Sequence, residues 1–460
     1  MGFEMSRYST FVTPIMLALL AVAAPCSARQ PNIILIMADD LGYETITANG
    51  GESYQTPNLD ALAAGGVRFE ECYVQPLCTP TRVQLMTGQS NVRNYIEFGM
   101  LDPEAKTFAH LLKEAGYVKG IAGKWQLGRK PGLPQRFGFD ESCLWQQTRR
   151  PPRYANPGLE YNGEERNFTN GEYGPDLVND FAIDFVTRHK EQPFLLYYPM
   201  LLTHGPYVPT PDSADWNPEA KSEEEDHAPQ HFGEMVAYMD KLVGNLTAKL
   251  DELGIREETI IIFLGDNGTG AGTVSQFQGK PYEGGKGTTT ARGMHVPLIV
   301  NWRGHVPAGG VNDDLISSVD FLPTLCAAAG VAPTESMTLD GQSFWPQALG
   351  EEGSPRTWLY SWYSQDGGEQ RKREFAMTKE YKLYRDGQLF DLKADPLEAG
   401  KPIDRAAWND RQQEVAKELG AVLASYANAR PAALIKPGEP ATKANRQRAA
   451  RRKDAAAKVE

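Results

Sequence analysis

Short apolar runs alternate with segments of helical spacing along most of the chain. Runs of this kind are typical of strands buried on both faces of a sheet, and they occupy residues 33–37, 118–122, 194–198, 260–264 and 297–300. Between them, apolar residues recur three or four positions apart and predict helices over residues 59–64, 107–115, 177–189 and 235–253. This alternation predicts an α/β fold with a large, mostly parallel sheet sandwiched by helices. Ligands of such folds bind at the carboxyl ends of the strands.

The pattern changes after residue 345. Proline, glycine and glutamate become frequent at 346–356, and the short strand-like segments 374–378, 382–384 and 388–392 then precede a helical stretch at 406–427. We therefore predict a main domain at 29–345 and a smaller α+β domain at 346–430, with a small antiparallel sheet and a helix. Residues 431–460 carry arginines among alanines and predict a disordered basic tail.

The amino terminus predicts export. Arg7 precedes an apolar stretch at 11–24, and Cys26-Ser27-Ala28 offers the small residues that a signal peptidase accepts. We expect residues 1–28 to be a signal peptide and the mature protein to be periplasmic or secreted. The stretch is short for a membrane span, so stable membrane insertion is not expected, and a retained anchor is the alternative. The formal charge of −12 argues against nucleic acid as a partner.

Four cysteines remain after residue 28, namely Cys72, Cys78, Cys143 and Cys326. They are too few for a disulfide scaffold, although a bridge between Cys72 and Cys143 is an open alternative. Of the four cysteines, Cys78 has the most informative neighbouring sequence, Cys78-Thr79-Pro80-Thr81-Arg82. Thr79 and Pro80 predict a helix start with Thr79 as its cap, and the spacing brings Arg82 back over Cys78. An anion would be held at such a site. An isolated Cys-x-Pro is more often a buried cysteine before an ordinary helix.

Acidic pairs follow two of the predicted strands. Asp39 and Asp40 come directly after the run at 33–37, and Asp266 and Asn267 come after the run at 260–264. Carboxylate and amide oxygens suit Ca²⁺, or Mg²⁺ with more retained water, and suit zinc poorly. Either pair alone is more often a turn or a helix cap.

Together, the cysteine run with Thr87-Gly88 after it and the acidic pairs resemble the type I, formylglycine-dependent sulfatase family, whose arylsulfatase-like members belong to the alkaline phosphatase superfamily. The resemblance extends from about Pro31 to Asp395. It implies that a formylglycine-generating enzyme, or an equivalent maturase, converts Cys78 to formylglycine. It also implies that calcium, or magnesium, is bound by Asp39, Asp40, Cys78, Asp266 and Asn267.

The same resemblance assigns the cations and the proton carrier. Lys124, in Gly123-Lys124-Trp125-Gln126, would contact both the formylglycine and the sulfate, and Lys286 would be the second active-site lysine. His204 would bind the sulfate and help to protonate the leaving oxygen. With Arg82, the two lysines would offset the sulfate charge while one hydroxyl of the hydrated aldehyde attacks sulfur. The second hydroxyl would then be deprotonated to release sulfate.

Two departures from the family pattern stand out. The family usually has histidine at position 126, where this chain has Gln126, and an amide cannot accept a proton at neutral pH. We hypothesise that water or another residue replaces that base, with Gln126 as a substrate-binding residue. Ala291, Arg292 and His295 also break the pattern, and we expect them to affect loop packing and substrate fit.

The sequence therefore predicts a sulfuric ester hydrolase for a sulfated carbohydrate or an aryl sulfate. A phosphodiester or phosphonate monoester hydrolase of the same fold is the enzymatic alternative, and a non-catalytic sulfoglycan-binding relative is the other. Specificity is expected in the loops at 145–170 and 207–230. Five residues of the first loop are candidate sugar or sulfate contacts, namely Trp145, Arg149, Arg150, Arg153 and Tyr154.

Overall fold

The structure is a computed structural model that describes residues 1–5, 29–220 and 227–435. Sixteen strands lie in these residues: β1 (Asn32–Ala38), β2 (Val67–Tyr73), β3 (Val118–Gly123), β4 (Glu141–Trp145), β5 (Gly158–Tyr161), β6 (Glu164–Asn167), β7 (Phe194–Pro199), β8 (Thr259–Gly265), β9 (Val274–Phe277), β10 (Lys280–Glu283), β11 (Leu298–Asn301), β12 (Gly310–Ser317), β13 (Leu359–Tyr363), β14 (Arg373–Met377), β15 (Tyr381–Tyr384) and β16 (Leu389–Asp391).

Eleven α-helices lie in the same described residues: α1 (Pro57–Ala64), α2 (Cys78–Thr87), α3 (Asn91–Asn94), α4 (Phe108–Glu114), α5 (Leu133–Arg136), α6 (Gly174–Arg188), α7 (His231–Glu252), α8 (Ala291–Met294), α9 (Phe321–Ala328), α10 (Trp345–Ala348) and α11 (Asp410–Ser425). Short 3-10 turns occupy Tyr43–Thr45, Thr47–Asn49, Ser318–Asp320, Arg405–Ala407 and Ala432–Leu434.

Ten strands form the main sheet, in the order β12-β2-β11-β8-β1-β7-β3-β4-β5-β6. Its centre, β8-β1-β7-β3-β4, is parallel throughout, while β11 pairs antiparallel with both of its neighbours. At the other flank β4, β5 and β6 are antiparallel, and Asn162 and Gly163 turn β5 into β6 with φ angles of 51° and 92°. Asn-Gly with positive φ at both positions is the preferred two-residue hairpin turn. The predicted fold class is thus confirmed, with antiparallel strands added at the flanks.

Both faces of the main sheet are buried. Ile33, Leu35 and Met37 of β1 belong to one apolar core with side chains of α2, α4, α9 and α11. Ile34 and Ile36 belong to the core on the opposite face, which α1, α6 and α7 cover. Because successive strand residues point to opposite faces, a strand with helices on both sides must be apolar throughout. This explains why the central strands were recognisable as continuous apolar runs.

The carboxyl-terminal part forms a separate antiparallel sheet in the order β13-β14-β15-β16. Three of its strands were predicted to within a few residues, but β13 was not. Helix α11 packs on this sheet, and Leu359, Phe375 and Met377 form a small core with Met294 and Leu315 of the main part. The two sheets are therefore joined through an apolar contact.

Several expectations concern the ends and the cysteines. The predicted signal peptide falls almost wholly on residues 6–28, and the basic tail falls mostly beyond residue 435, so both lie outside the described residues. Among the residues that the structure describes, no helix combines the length and apolar character that a bilayer span requires. Cys72 and Cys143 are both free and buried. The alternative of a bridge between them is wrong, because β2 and β4 are separated by five strands of the sheet.

Candidate active site

Four adjacent parallel strands deliver the predicted site residues to one edge of the main sheet. Asp39 and Asp40 follow β1, Asp266 and Asn267 follow β8, Lys124 follows β3, and the segment after β7 leads to His204. Main-chain bonds hold these ends together: Asp266 N donates to Ala38 O over 2.9 Å, and Lys124 N donates to Pro199 O over 2.7 Å. The carboxyl ends of neighbouring parallel strands meet at the same edge, so residues far apart in sequence converge there.

The acidic residues form one buried cluster. Asp39, Asp266 and Asn267 are fully buried and Asp40 is 3% exposed. The backbone N–H of Asp40 donates to Asp266 Oδ1 over 3.0 Å, and Asn267 Nδ2 donates to Asp40 Oδ1 over 2.9 Å. Three buried carboxylates this close together repel one another strongly unless cations compensate their charges.

Each carboxylate of the cluster has one cationic side chain of the protein. Lys124 Nζ lies 2.6 Å from Asp39 Oδ2, Lys286 Nζ lies 2.5 Å from Asp40 Oδ1, and Arg82 Nη2 lies 3.0 Å from Asp266 Oδ2. Arg82 is fully buried behind the cluster and also donates to Lys124 O over 2.7 Å. It therefore fixes Asp266 and the turn that carries Lys124.

Burial and the neighbouring cations shift the pKa values of the three aspartates in opposite directions. Burial opposes ionisation of Asp39, but the surrounding cations, foremost Lys124, outweigh it and hold the pKa of this carboxyl well below its usual range. The pKa of Asp40 is lowered against burial in the same way, with Lys286 the strongest cation. Burial, with Asp39 beside it, raises the pKa of Asp266 to about 7 despite the pair with Arg82. Asp266 is therefore the carboxylate of the cluster whose charged form the surrounding cations stabilise least.

Two oxygens of the cluster lack a donor. Among the described residues, Asp39 Oδ1 and Asn267 Oδ1 are buried without a hydrogen-bond partner. Buried polar atoms are almost always paired, so each of these oxygens has room for a hydrogen-bond donor or a cation. An all-oxygen donor set fits Ca²⁺ or Mg²⁺. His204 Nε2, 3.9 Å from Asp40 Oδ2, closes a group of three possible ligands with Asp39 and Asp40.

Cys78 is the first residue of α2 and is 2% exposed. Burial raises the pKa of its thiol, so the unmodified side chain is not an activated thiolate. The expectation that Thr79 caps this helix is wrong, because Leu77 occupies the cap position and makes no side-chain cap bond. Thr79 Oγ1 accepts instead from Gly99 N over 3.0 Å and donates to Gln126 O over 3.4 Å. It ties α2 to the segment that carries Gln126.

His204 sits at the cavity wall with both ring nitrogens in contact with the protein. Nδ1 lies 2.5 Å from Gly205 O and 3.0 Å from Arg153 Nη1, while Nε2 faces Asp40. Burial, followed by the charge of Lys124, lowers the pKa of His204 to about 3. The imidazole is therefore neutral at ordinary pH and acts there as a hydrogen-bond donor or acceptor.

A cavity of about 730 Å³ opens over Cys78, Lys124, Gln126, His204 and Lys286. Trp145, Arg150 and Arg153 of the first predicted specificity loop line it as well. Arg149 and Tyr154 do not: Arg149 pairs with Glu165 over 2.9 Å, and Tyr154 is fully buried with its hydroxyl donating to Leu201 O over 3.2 Å.

Five further lining residues were not predicted from the sequence. Glu97, Phe98, Arg129, Gln365 and Asp366 complete the cavity wall. Gln365 and Asp366 come from the loop after β13, which the main chain brings over the site from the smaller sheet. Local sequence carried no signal for them, because an exposed polar loop residue acquires a role only through the segment that packs opposite it.

Comparison with known proteins identifies the family of this chain. The family model for Sulfatase matches residues 31–331, and the model for N-sulphoglucosamine sulphohydrolase, C-terminal, matches residues 286–425. Human arylsulfatase A is 36% identical over 387 residues, 74% of this chain and 72% of the relative. The N-acetylgalactosamine-6-sulfatase of Canis lupus familiaris is 32% identical over 382 residues, 75% of this chain and 71% of the relative.

A solved structure extends the similarity to the fold. The crystal structure of Ps i-CgsB in complex with k-i-k-neocarrahexaose superposes with a TM-score of 0.75 at 27% identity, covering 88% of this chain and 94% of the other. The family model matches most of the chain, and two sulfatases are more than 30% identical to it. This protein belongs to the sulfatase family and is a sulfuric ester hydrolase.

Proposed function

We propose that this sulfatase cleaves its ester with an oxidised side chain at position 78, a formylglycine made from Cys78 by a maturation enzyme. The observation that carries the proposal is the position of Cys78 at the base of the 730 Å³ cavity, in the company of Lys124, His204 and Lys286. When hydrated, the aldehyde supplies one hydroxyl as nucleophile and a second whose deprotonation releases sulfate.

We propose further that Asp39, Asp40, Asp266, Asn267 and residue 78 bind Ca²⁺, with Mg²⁺ as the alternative. The orphaned oxygens of Asp39 and Asn267 and the all-oxygen character of the cluster support a hard divalent cation. Such an ion supplies Lewis-acid activation of the nucleophilic hydroxyl and stabilises negative charge.

The protein's own side chains would do the remaining work. Lys124 and Lys286, both at the cavity, bind the sulfate oxygens and offset the charge that develops on them. His204 binds the sulfate and, once the bound anion favours the protonated ring, assists proton transfer to the leaving oxygen. Arg82 acts from behind the site, because its guanidinium holds Asp266 and the carbonyl of Lys124 in place.

For the substrate, we propose a sulfated carbohydrate, which is the class that the name of the N-acetylgalactosamine-6-sulfatase relative indicates. We also propose that the protein is exported through the segment at 1–28 and acts in the periplasm or outside the cell. The catalytic domain would occupy 29–345 and a supporting domain 346–430.

The test combines mass spectrometry with sulfate release. Protein made in a host that forms formylglycine should show the aldehyde on the peptide that contains residue 78, and should release sulfate from an aryl sulfate. Cys78→Ala should abolish release, whereas Cys326→Ala, at another buried cysteine, should retain it. An unmodified thiol together with unchanged activity would refute the nucleophile. Faster cleavage of a bis-aryl phosphate than of the aryl sulfate would favour the phosphodiesterase alternative, and binding without turnover would favour the sulfoglycan-binding one.

A further inference from the structure

The catalytic cavity is much larger than the sulfate group that its base would hold. Of its lining residues, Cys78 and Lys124 are 2% exposed and His204 and Lys286 are half-buried, and we call this part the base; Phe98, Arg129 and Arg150 are exposed and, with Trp145 and Arg153, form the outer part. A volume of about 730 Å³ lies in the range of pockets that enclose whole small ligands. The outer part must therefore contact the group to which the sulfate is attached.

This outer part is cationic in a protein that is acidic overall. Arg129, Arg150 and Arg153 line it together with two acids, Glu97 and Asp366. Among the described lining residues these three arginines outnumber the two acids, while Lys124 and Lys286 are each paired with an aspartate, although the whole chain carries a formal charge of −12. A second cavity in the described part of the chain, about 510 Å³ beside β9 and β10, has three lysines and four glutamates. The cationic excess is thus a local property of the catalytic cavity.

Arg153 is held in place at the inner edge of this surface. Its guanidinium stacks 4.5 Å above the ring of Trp145, and its Nη1 lies 3.0 Å from His204 Nδ1. Trp145 is itself oriented by a hydrogen bond from its indole N–H to Pro151 O, 2.8 Å. A guanidinium that is already ordered loses little entropy when it binds an anion.

Arg150 reaches the cavity through an unusual backbone conformation. Its φ angle is 57°, in the left-handed region that residues other than glycine rarely adopt. Its neighbour Arg149 lies outside the cavity and donates to Gln146 Oε1 over 3.0 Å. Arg150 lines the cavity instead, with Nη2 4.0 Å from the point that a Cβ on Gly99 would occupy. Unfavourable backbone conformations persist at functional sites, which agrees with a binding role for Arg150.

We infer that the outer cavity is an anion subsite in which Arg129, Arg150 and Arg153 bind a second negative group of the substrate. The preferred substrate is then a sulfated sugar that carries another sulfate or a carboxylate beside the ester that is cleaved. Guanidinium groups bind both anions through paired N–H donors, and Phe98 and Trp145 offer apolar faces to the sugar ring. This inference rests on the proposed function and specifies its substrate class.

The test compares three substrates on the mature enzyme: a monosulfated neutral disaccharide, its disulfated counterpart, and a monosulfated disaccharide with a uronate. We expect kcat/KM to be about tenfold higher for one or both of the dianionic substrates, as one charge-assisted contact implies. A higher kcat/KM for the disulfated or for the uronate-containing substrate shows whether the subsite binds a sulfate or a carboxylate. The preference should weaken as ionic strength rises.

Arg150→Gln should remove most of this preference, mainly through KM, and Arg150→Lys should retain part of it. Arg149→Gln is the matched control, since it removes an adjacent arginine that lies outside the cavity, and it should keep the full preference. Equal kcat/KM for all three substrates, or equal loss of preference in the Arg149 and Arg150 variants, would overturn the subsite while leaving sulfatase chemistry intact. Failure to release sulfate from any substrate would instead overturn the proposed function and this inference with it.

Discussion

The backbone N–H of Asp40 donates to the carboxylate of Asp266 over 3.0 Å, although 226 residues separate the two along the chain. The bond joins the carboxyl ends of β1 and β8, whose strands are paired in parallel up to Ala38 and Gly265. The two acidic pairs therefore cannot move apart without breaking the central sheet. A site built on paired strand ends is held rigidly, which both metal binding and catalysis require.

Removal of the cation behind the cluster should destabilise the fold. We expect Arg82→Met to lower the free energy of unfolding by about 3–5 kcal/mol at pH 8, because Asp266 would either remain as an unpaired buried charge or keep a proton that the unfolded chain has released at this pH. Urea unfolding in the presence of a chelator measures this without help from a bound ion. Arg188→Met is the control: Arg188 also contacts two carboxylates, but it is 42% exposed. Arg188→Met should change the free energy of unfolding by less than about 1 kcal/mol. Similar decreases in Arg82→Met and Arg188→Met would show that the buried pair with Asp266 has no special importance for stability.

Calcium should stabilise the protein through the orphaned oxygens. A ligand that binds only the folded state adds about 2.7 kcal/mol at a hundred times its Kd, so we expect Ca²⁺ to raise Tm and a chelator to lower Tm and activity. Asn267→Ala should reduce the rise in Tm. Glu234→Gln alters a different candidate group, Asp215 with His231 and Glu234, and should leave it unchanged. If Glu234→Gln removed the rise in Tm and Asn267→Ala did not, Ca²⁺ would be bound at the group that contains Glu234 and not at the cluster that contains Asn267.

Glu44 should make stability fall as pH rises. Burial raises the pKa of this carboxyl from 4.5 to about 7, while Thr269 Oγ1 donates to it over 2.5 Å. Between pH 4.5 and 7 the folded state keeps a proton that the unfolded state has released, so the free energy of unfolding decreases across this window and stays lower above it. Glu44→Gln, which remains uncharged, should gain stability relative to the parent between pH 5 and pH 8, by up to about 3 kcal/mol. Urea unfolding at the two pH values measures it, and parallel changes in both proteins would refute a buried, protonated Glu44.

Gln126→His should lower turnover rather than raise it. Gln126 has a φ of 59°, which histidine tolerates better than most residues, so the backbone should be preserved. We expect the wall around Gly99 and Arg150 to be arranged for an amide, with another group or water accepting the proton. Measurement of kcat on an aryl sulfate tests this, and Gln365→His on the same cavity controls for the addition of an imidazole. A large gain in kcat would mean that the site merely lacks its usual base.

Local patterns predicted the central strands and the residues that gather at their ends. Ile33 to Met37 and Ile260 to Leu264 are continuous apolar runs because helices bury both faces of the strands. The flanking strands β2 and β12 were missed, since their charged and half-buried positions interrupt such a run. Thr79 was misassigned as a cap because its hydroxyl is used by Gly99 and Gln126, which no local spacing reveals.

The roles of the remaining residues depend on long-range packing. His295 was expected to affect loop packing, and it stacks between Tyr43 and Tyr73 at centroid distances of 4.0 and 4.9 Å. Its Nε2 lies 2.7 Å from Glu70 O, and burial lowers its pKa to about 4. His295 is therefore a neutral packing residue here.

The sequence alone determined the α/β class, the position of Cys78 at a helix start and the chemical types around it, because strand burial and motif spacing are local properties of the chain. Only the tertiary structure decided that Arg82 lies behind the cluster with Asp266, that Arg150 reaches the cavity while Arg149 does not, and that Asp366 joins the wall from the second sheet. Those relationships arise from strand order and loop conformation, which bring together residues that are distant or oppositely directed along the chain.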